Sequence, residues 1–262
     1  MTSLTVLIDN IQIYILVFVR FAGVLVFNPI LARNNVPARI RNALAFGSAF
    51  LLAPNLAVPD GFAVYSDLDF ALAIFRELTV GWLYGFVFLV YYYMLMFAGD
   101  VMDTQFGLSM SKVMDPGTKV QTAFSGNVLG LLFMAYIFAT NSHLVLIRLA
   151  ATSYELVPIG AENLALREAP KFAISMFNTA FSLAIRLAFP FVAVELILEV
   201  SLGILMKLIP QIHVFVINMQ FKIMLAIVLL FLLASPICVF LDNYILRMLS
   251  DIQQSLLAVT GG

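Results

Sequence analysis

Charged residues are scarce in this chain of 262 residues, since only 11% are Asp, Glu, Lys or Arg. Soluble domains average roughly 25% charged residues, so this shortage excludes an ordinary soluble protein. The formal net charge is −1, whereas a nucleic-acid-binding surface needs an excess of basic residues. The sequence therefore predicts no nucleic-acid partner.

Residues that carry catalysis or bind metals are equally few. The chain has one cysteine, Cys238, and two histidines, His143 and His213, each isolated within an apolar segment. It has no HExxH motif, no Ser/His/Asp set and no glycine-rich phosphate loop. A single cysteine also excludes an intramolecular disulfide. We therefore expect no enzyme activity, no metal site and no cofactor.

Hydrophobic residues are abundant: they make up 63% of the chain, and the mean hydropathy is +1.03. Runs longer than about 18 apolar residues are typical of membrane-spanning helices. Three segments meet this criterion and three more are broken by a charge or by prolines. The six segments cover residues 11–27, 43–58, 78–99, 120–147, 172–194 and 223–241. We predict an all-α fold of about six long hydrophobic helices in hairpins, as in a polytopic membrane protein.

The stretch Asp100–Ser125 interrupts two of the longest apolar runs. Gly107 and the Asp-Pro-Gly turn at Asp115–Gly117 predict a break in the helix, yet Phe106 and several Met and Leu residues keep the stretch apolar. Non-helical backbone at membrane depth is tolerated only where it is buried in protein or lines a cavity. Two interpretations follow: a re-entrant plug sealed by deformable Met and Phe side chains, or an ordinary interfacial loop.

Two pairs of glycines flank this stretch, Gly81 with Gly85 and Gly126 with Gly130. Glycines four residues apart lie on one face of a helix and let another backbone approach closely. One such pair is common by chance, whereas two pairs on either side of one loop are more informative. We predict that both flanking helices are tightly packed.

Charged residues inside the apolar segments need partners or a function. Arg20 is either a paired or snorkelling side chain or a functional cation in a pore. Glu195 and Glu199, four residues apart on one helix face, either pair with Lys or Arg side chains or form a proton or ion path. The other charged or polar residues assigned to this group are Arg186, Lys207, Gln211 and Lys222.

Several short motifs follow one another along essentially the whole chain. They are Arg20 with Pro29, the Gly81/Gly85 helix, Asp103 with Gly107 and Pro116, Leu187-Ala188-Phe189-Pro190, Gly203, and Pro210-Gln211 followed by Val214-Phe215 and Lys222. Their order, together with the six apolar segments and the length, resembles the FliR/SctT family. That family is the export-gate component of flagellar and virulence type III secretion systems.

The resemblance implies a non-enzymatic structural component of the flagellar type III protein export gate, which closes a helical pore complex for unfolded export substrates. It implies a helical hetero-oligomer with FliP-like and FliQ-like subunits, together with FlhB-like and FlhA-like components. The implied location is the bacterial inner membrane, at the flagellar basal body. Within such an assembly, Gly81, Gly85, Gly126 and Gly130 are expected to pack against other subunits, and the charged group above to lie at interfaces.

The resemblance also divides the chain into a FliP-like four-helix part, residues 1–160, and a FliQ-like helical hairpin part, residues 161–262. It places the plug loop at about 103–122 and narrows the plug itself to 106–117. These residues are Phe106, Gly107, Leu108, Ser109, Met110, Ser111, Lys112, Val113, Met114, Asp115, Pro116 and Gly117.

A small-solute or ion secondary transporter or channel is the alternative. Broken helices and intramembrane charges are typical of such transporters, and inverted repeats would support that function. The two parts of this sequence differ in helix number and show no such repeat.

Overall fold

The computed structural model describes residues 2–29, 36–56, 67–108, 113–114, 121–160, 168–208 and 214–260. These residues form eight α-helices, and the all-α prediction is confirmed. The helices are α1 (Thr2–Val26), α2 (Ala38–Leu52), α3 (Asp67–Gln105), α4 (Phe124–Ala139), α5 (Ser142–Leu156), α6 (Ala169–Leu208), α7 (Val214–Leu232) and α8 (Ala234–Thr260). A 3-10 turn at Ala53–Asn55 follows α2, and two short strands, β1 (Val113–Met114) and β2 (Gln121–Thr122), lie between α3 and α4.

The predicted segment 120–147 is two helices rather than one. Asn141 adopts a left-handed conformation with φ 57° between α4 and α5, and Asn is among the few residues that tolerate this region. The Thr140 hydroxyl also donates to the carbonyl of Tyr136 at 2.8 Å and so stabilises the end of α4. The two helices are bent by 73°, a break that hydropathy alone does not reveal.

The predicted segment 223–241 is also broken, at Leu233, where α7 and α8 are bent by 62°. Pro236 lies in the first turn of α8, where a helix N–H has no partner within the helix and a proline is tolerated. The expected six helices are therefore eight in the described part of the chain.

Two helical stretches are long and apolar enough to cross a membrane, Leu68–Gln105 and Ala169–Leu208, and up to four spans result if each bent pair counts as one. The apolar part of α1, Ile11–Val26, is shorter than such a span. Burial differs sharply between the two long helices. In α3, 56% of the most apolar stretch of 18 residues is buried, whereas in α6 only 17% of such a stretch is buried. A large apolar surface of α6 is therefore not covered by this chain.

The chain forms two compact units. Unit 1 comprises Met1–Val90, Asn141–Phe177 and Arg247–Gly262, and unit 2 comprises Tyr91–Thr140 and Asn178–Leu246. Each unit therefore combines residues from both sides of position 160. The division at 160/161 concerns likeness to two other kinds of subunit, and it stays a prediction.

A buried tyrosine satisfies its hydroxyl in the core of each unit. In unit 1 the Tyr84 hydroxyl donates to the carbonyl of Leu146 at 2.5 Å. In unit 2 the Tyr244 hydroxyl donates to the carbonyl of Tyr91 at 2.7 Å, and the Tyr244 ring packs against Phe133. Buried hydroxyls that lack such partners are costly, so these contacts join distant helices at defined positions.

The glycines of α3 that face α1 allow very close backbone packing in unit 1. A Cβ atom on Gly81 would overlap the carbonyl oxygen of Arg20 and would lie 3.1 Å from the Cα of Gly23. A Cβ atom on Gly85 would lie 2.5 Å from the Cβ of Phe27. The close approach predicted for this face is present, and its partner is α1 of the same chain.

The glycines of α4 pack in a similar way against α3 in unit 2. A Cβ atom on Gly126 would lie 3.3 Å from the carbonyl oxygen of Met96, and one on Gly130 would overlap the Met96 methyl group. A Cβ atom on Gly99 would overlap the backbone of Gly126. All four predicted glycines thus contact helices of this chain, and their packing against other subunits stays a prediction.

We expect Gly81→Ala to lower the thermal stability of the purified chain in detergent. The added methyl group would force α1 and α3 apart, and overpacking of this kind costs about 1–3 kcal/mol. Gly47→Ala in α2 is the matched control, because a Cβ atom there meets nothing within 4 Å. That control should gain about 0.5–1 kcal/mol from helix propensity. Equal melting temperatures for the two variants would contradict the close contact.

Candidate functional site

The candidate gate segment, residues 106–117, begins where α3 ends. The Phe106 N–H donates to the carbonyl of Met102 at 3.2 Å, and the chain then turns at Gly107 with φ 71°. This left-handed conformation carries no steric penalty for glycine. The predicted helix break is therefore present, at Gly107.

A buried carboxylate joins the two helices that flank this segment. Both carboxylate oxygens of Asp103 accept from the Ser125 N–H, at 3.2 and 3.1 Å, and Oδ1 accepts from the Ser125 hydroxyl at 2.5 Å. Asp103 is fully buried in α3, and Ser125 lies in the first turn of α4. The carboxylate thus satisfies N–H groups at the positive end of α4, which has no side-chain cap of its own. We call this contact the Asp103–Ser125 clamp.

One short strand lies within the segment and a second one follows it. β1 and β2 pair antiparallel, with Val113 opposite Thr122 and Met114 opposite Gln121. The chain therefore returns on itself between the clamp residues. The remaining members of the predicted plug lie outside the described residues: Ser109, Met110, Ser111, Lys112, Asp115, Pro116 and Gly117.

Phe106 is packed inside unit 2. Its side chain is 1% exposed, and its ring meets the ring of Phe191 edge-on with centroids 6.5 Å apart. A buried aromatic ring of this kind contributes area burial and a favourable ring geometry. The structure therefore gives Phe106 a packing role at the base of the segment, and its part in a plug stays a prediction.

Arg20 is one of the largest fully buried side chains in unit 1. Its Nε donates to Glu77 Oε2 at 2.5 Å, its Nη1 donates to Ser153 Oγ at 3.2 Å, and its guanidinium lies 3.9 Å from the centre of the Tyr154 ring. Glu77 Oε1 accepts in addition from the N–H of Gly160 at 3.3 Å. Arg20 is thus paired within this chain, and a role of Arg20 in a pore stays a prediction.

The two acids of α6 share one lysine of α7. Lys222 Nζ lies 2.5 Å from Glu195 Oε1 and 3.7 Å from Glu199 Oε1. Glu195 is fully buried, whereas the Glu199 side chain is 59% exposed. Glu195 makes no well-aligned hydrogen bond within the described residues, so the contact with Lys222 is an ion pair in geometry. Pairing with a lysine of this chain, one of the two interpretations, is thus observed.

The other predicted site residues are not brought together with these clusters. Arg186 and Lys207 are exposed on α6, and Gln211 lies outside the described residues. Within the described ranges, no three His, Cys, Asp or Glu side chains are placed to hold a metal ion.

Several partners in these clusters are not identified by the sequence reasoning. Glu77 follows Arg76 and looks like a polar residue at a helix start, whereas Ser125, Ser153 and Tyr154 carry no distinguishing pattern. Only the general rule that a buried charge must be paired predicts that Arg20 has a carboxylate partner. That rule identifies the need but not the residue that meets it.

Comparison with known proteins gives a consistent result over nearly the whole chain. Residues 11–248 match the model of the family described as bacterial export proteins, family 1. The flagellar biosynthetic protein FliR of Bacillus subtilis (strain 168) is 26% identical over 97% of this chain and 98% of its own length. FliR of Escherichia coli (strain K12) is 28% identical over 92% of this chain and 93% of its own. The surface presentation of antigens protein SpaR of Shigella flexneri is 28% identical over 87% of this chain and 89% of its own length.

We expect Asp103→Ala to destabilise the start of α4. It would leave the buried N–H and hydroxyl of Ser125 without an acceptor, at a cost of about 1–3 kcal/mol. Ser125→Ala keeps the N–H bonds and should cost about 0.5–1.5 kcal/mol. The measurement is the rate of limited trypsin cleavage after Lys112 and Lys119. This rate should increase most in Asp103→Ala. Wild-type cleavage rates and melting temperatures in both variants would show that the clamp does not anchor the segment.

Proposed function

Because the chain belongs to the bacterial export proteins, family 1, we propose that it is a non-enzymatic structural component of a type III protein export gate. Two relatives that match 97% and 92% of this chain carry the name flagellar biosynthetic protein, which supports a flagellar system. The proposed location is the bacterial inner membrane at the flagellar basal body. The apolar helices of this chain agree with a protein embedded in a membrane.

The proposed partners are FliP-like and FliQ-like subunits in a helical hetero-oligomer, with FlhB-like and FlhA-like components beside it. The observation that supports this assembly most is the exposed apolar surface of α6. Ile174, near one end, is 65% exposed, and Leu208, at the other end, is 73% exposed. At 1.5 Å per residue, these positions lie about 51 Å apart along the helix.

Lipid alone does not cover such a length. The hydrocarbon core of a bilayer is about 30 Å thick, and spanning helices tilt by at most about 40°. A straight helix of this length at that tilt rises about 39 Å, which exceeds the hydrocarbon thickness. Burial against other protein chains resolves this excess. Helices of partner subunits are therefore the proposed cover for α6.

Within this assembly, residues 106–117 are the proposed plug that closes the pore for unfolded export substrates. Phe106 is packed at the start of the segment, and the Asp103–Ser125 clamp joins the helices on either side of it. A segment between two joined helices can be displaced while the helices stay in place. This combination of joined helices and a helix break is what a gate requires.

Removal of Gly107–Asp115, with Asp103 and Ser125 retained, should leave the complex assembled but leaky to small ions. The measurement is the ion conductance of the purified complex in planar bilayers. A Ser109→Ala, Ser111→Ala double variant keeps every apolar side chain of the segment and should stay closed. An unchanged conductance after the deletion would count against a plug.

Ile197→Asp should prevent co-purification with the partner subunits. Ile197 is 67% exposed on α6, and a carboxylate in an apolar helix contact lacks a partner and is costly. Ile197→Ala is the matched control, since it shortens the side chain but keeps the surface apolar. This site is a sharper probe than Gly85→Asp or Gly130→Asp, because those glycines contact helices of the same chain. Normal subunit stoichiometry in Ile197→Asp, or solute uptake by the chain alone, would favour the transporter alternative.

A further inference from the structure

An apolar groove lies between α1 and α2 of unit 1. Its volume is about 540 Å³, within the range of roughly 300–1,000 Å³ that is usual for small-ligand sites. It is lined by Ile11, Tyr14, Ile15 and Phe18 of α1 and by Phe46, Ala49 and Phe50 of α2. Phe46 and Phe50 are 68% and 64% exposed, so the groove is open along the α2 side.

Two arginines lie in the first turn of α2, and one of them shares a helix face with this groove. Arg39 precedes Phe46 by seven residues, which places both on nearly the same helix face and about 10 Å apart along the axis. Arg41 is rotated by about 200° from Arg39 and lies on the opposite side of the helix. The groove wall therefore continues, along one helix, into a positively charged region.

Nothing in the described part of the chain neutralises these two cations. The first turn of α2 contains no acidic residue and no side-chain cap, and the ion pairs seen elsewhere involve neither arginine. Acidic residues are the favoured neighbours at this end of a helix, since its dipole is already positive there. The local charge thus favours an anion beside the apolar groove.

We propose that the groove binds one acyl chain of an anionic phospholipid whose headgroup phosphate contacts Arg39. The lining has almost no polar surface and suits a hydrocarbon chain. Guanidinium groups bind phosphate oxygens through paired hydrogen bonds, and clustered basic residues beside membrane helices attract anionic headgroups. A lipid joins both features in one molecule. This site is independent of the proposed export role.

The test uses the full chain within its complex, reconstituted into lipid nanodiscs with a photoreactive acyl chain on phosphatidylglycerol or on phosphatidylcholine. Mass spectrometry of the labelled peptides should place the label on the groove-lining residues of α1 and α2, with phosphatidylglycerol preferred. Arg39→Gln should lower the label from phosphatidylglycerol about fivefold, the loss expected for one basic residue at a lipid surface. Arg148→Gln removes an exposed arginine of α5 and should change nothing.

A second variant tests the groove itself. Ala49→Leu narrows the groove and should reduce the label from both lipids, while a melting curve reports whether the buried position tolerates the larger side chain. Should that variant unfold, Phe46→Ala at an exposed position takes its place and should also reduce the label.

Three outcomes would overturn the proposal. Equal labelling by the two lipids, or labelling that Arg39→Gln does not change, would rule out the headgroup site. A label outside α1 and α2 would rule out the groove as the acyl-chain site. A photoreactive amino acid at position 46 that links to another subunit, with no lipid label, would show that the groove is a protein interface.

Discussion

The buried ion pair between Arg20 and Glu77 is the interaction on which unit 1 depends. A guanidinium in an apolar interior is tolerated only when a counter-charge and further hydrogen bonds replace water. Glu77 supplies the charge, Ser153 an acceptor and Tyr154 an aromatic face. α1, α3 and α5 must therefore come together for all of these contacts to form. The cost of leaving Arg20 unpaired makes their association cooperative.

A close helix contact and a buried carboxylate occur together in both units. On α3, Gly81 lies one turn after Glu77, and Gly99 lies one turn before Asp103. Each glycine touches the backbone of the helix that carries the partner of the neighbouring carboxylate, α1 in unit 1 and α4 in unit 2. The absence of a Cβ atom sets the distance between helices, and a short acidic side chain can then reach its donor. The close helix contact and the hydrogen bonds of the buried carboxylate thus occur within one turn of each other on α3.

The sequence predicts the fold class because apolar runs of this length have few alternatives. It predicts the break at Gly107 because glycine and proline have local conformational effects. Hydropathy does not identify the bend at Leu233, because this residue continues the apolar run, or the bend at Asn141, because the short polar stretch Thr140–His143 contains no Asp, Glu, Lys or Arg. The sequence does not identify the partners of Arg20 and Asp103 either, because these partners lie far away in the sequence and carry no periodic signal. The part of the candidate plug outside the described residues, 109–112 and 115–117, is known only from the sequence.

The Arg20 contacts also set an order of events during synthesis on the ribosome. Glu77 follows Arg20 by 57 residues and Ser153 follows it by 133. At a synthesis rate of 5–20 residues per second, Glu77 is added roughly 3–11 s after Arg20. During that interval an unpaired guanidinium favours an aqueous or headgroup environment over hydrocarbon. The ion pair that holds α1 against α3 therefore forms only after the first part of α3 has been made.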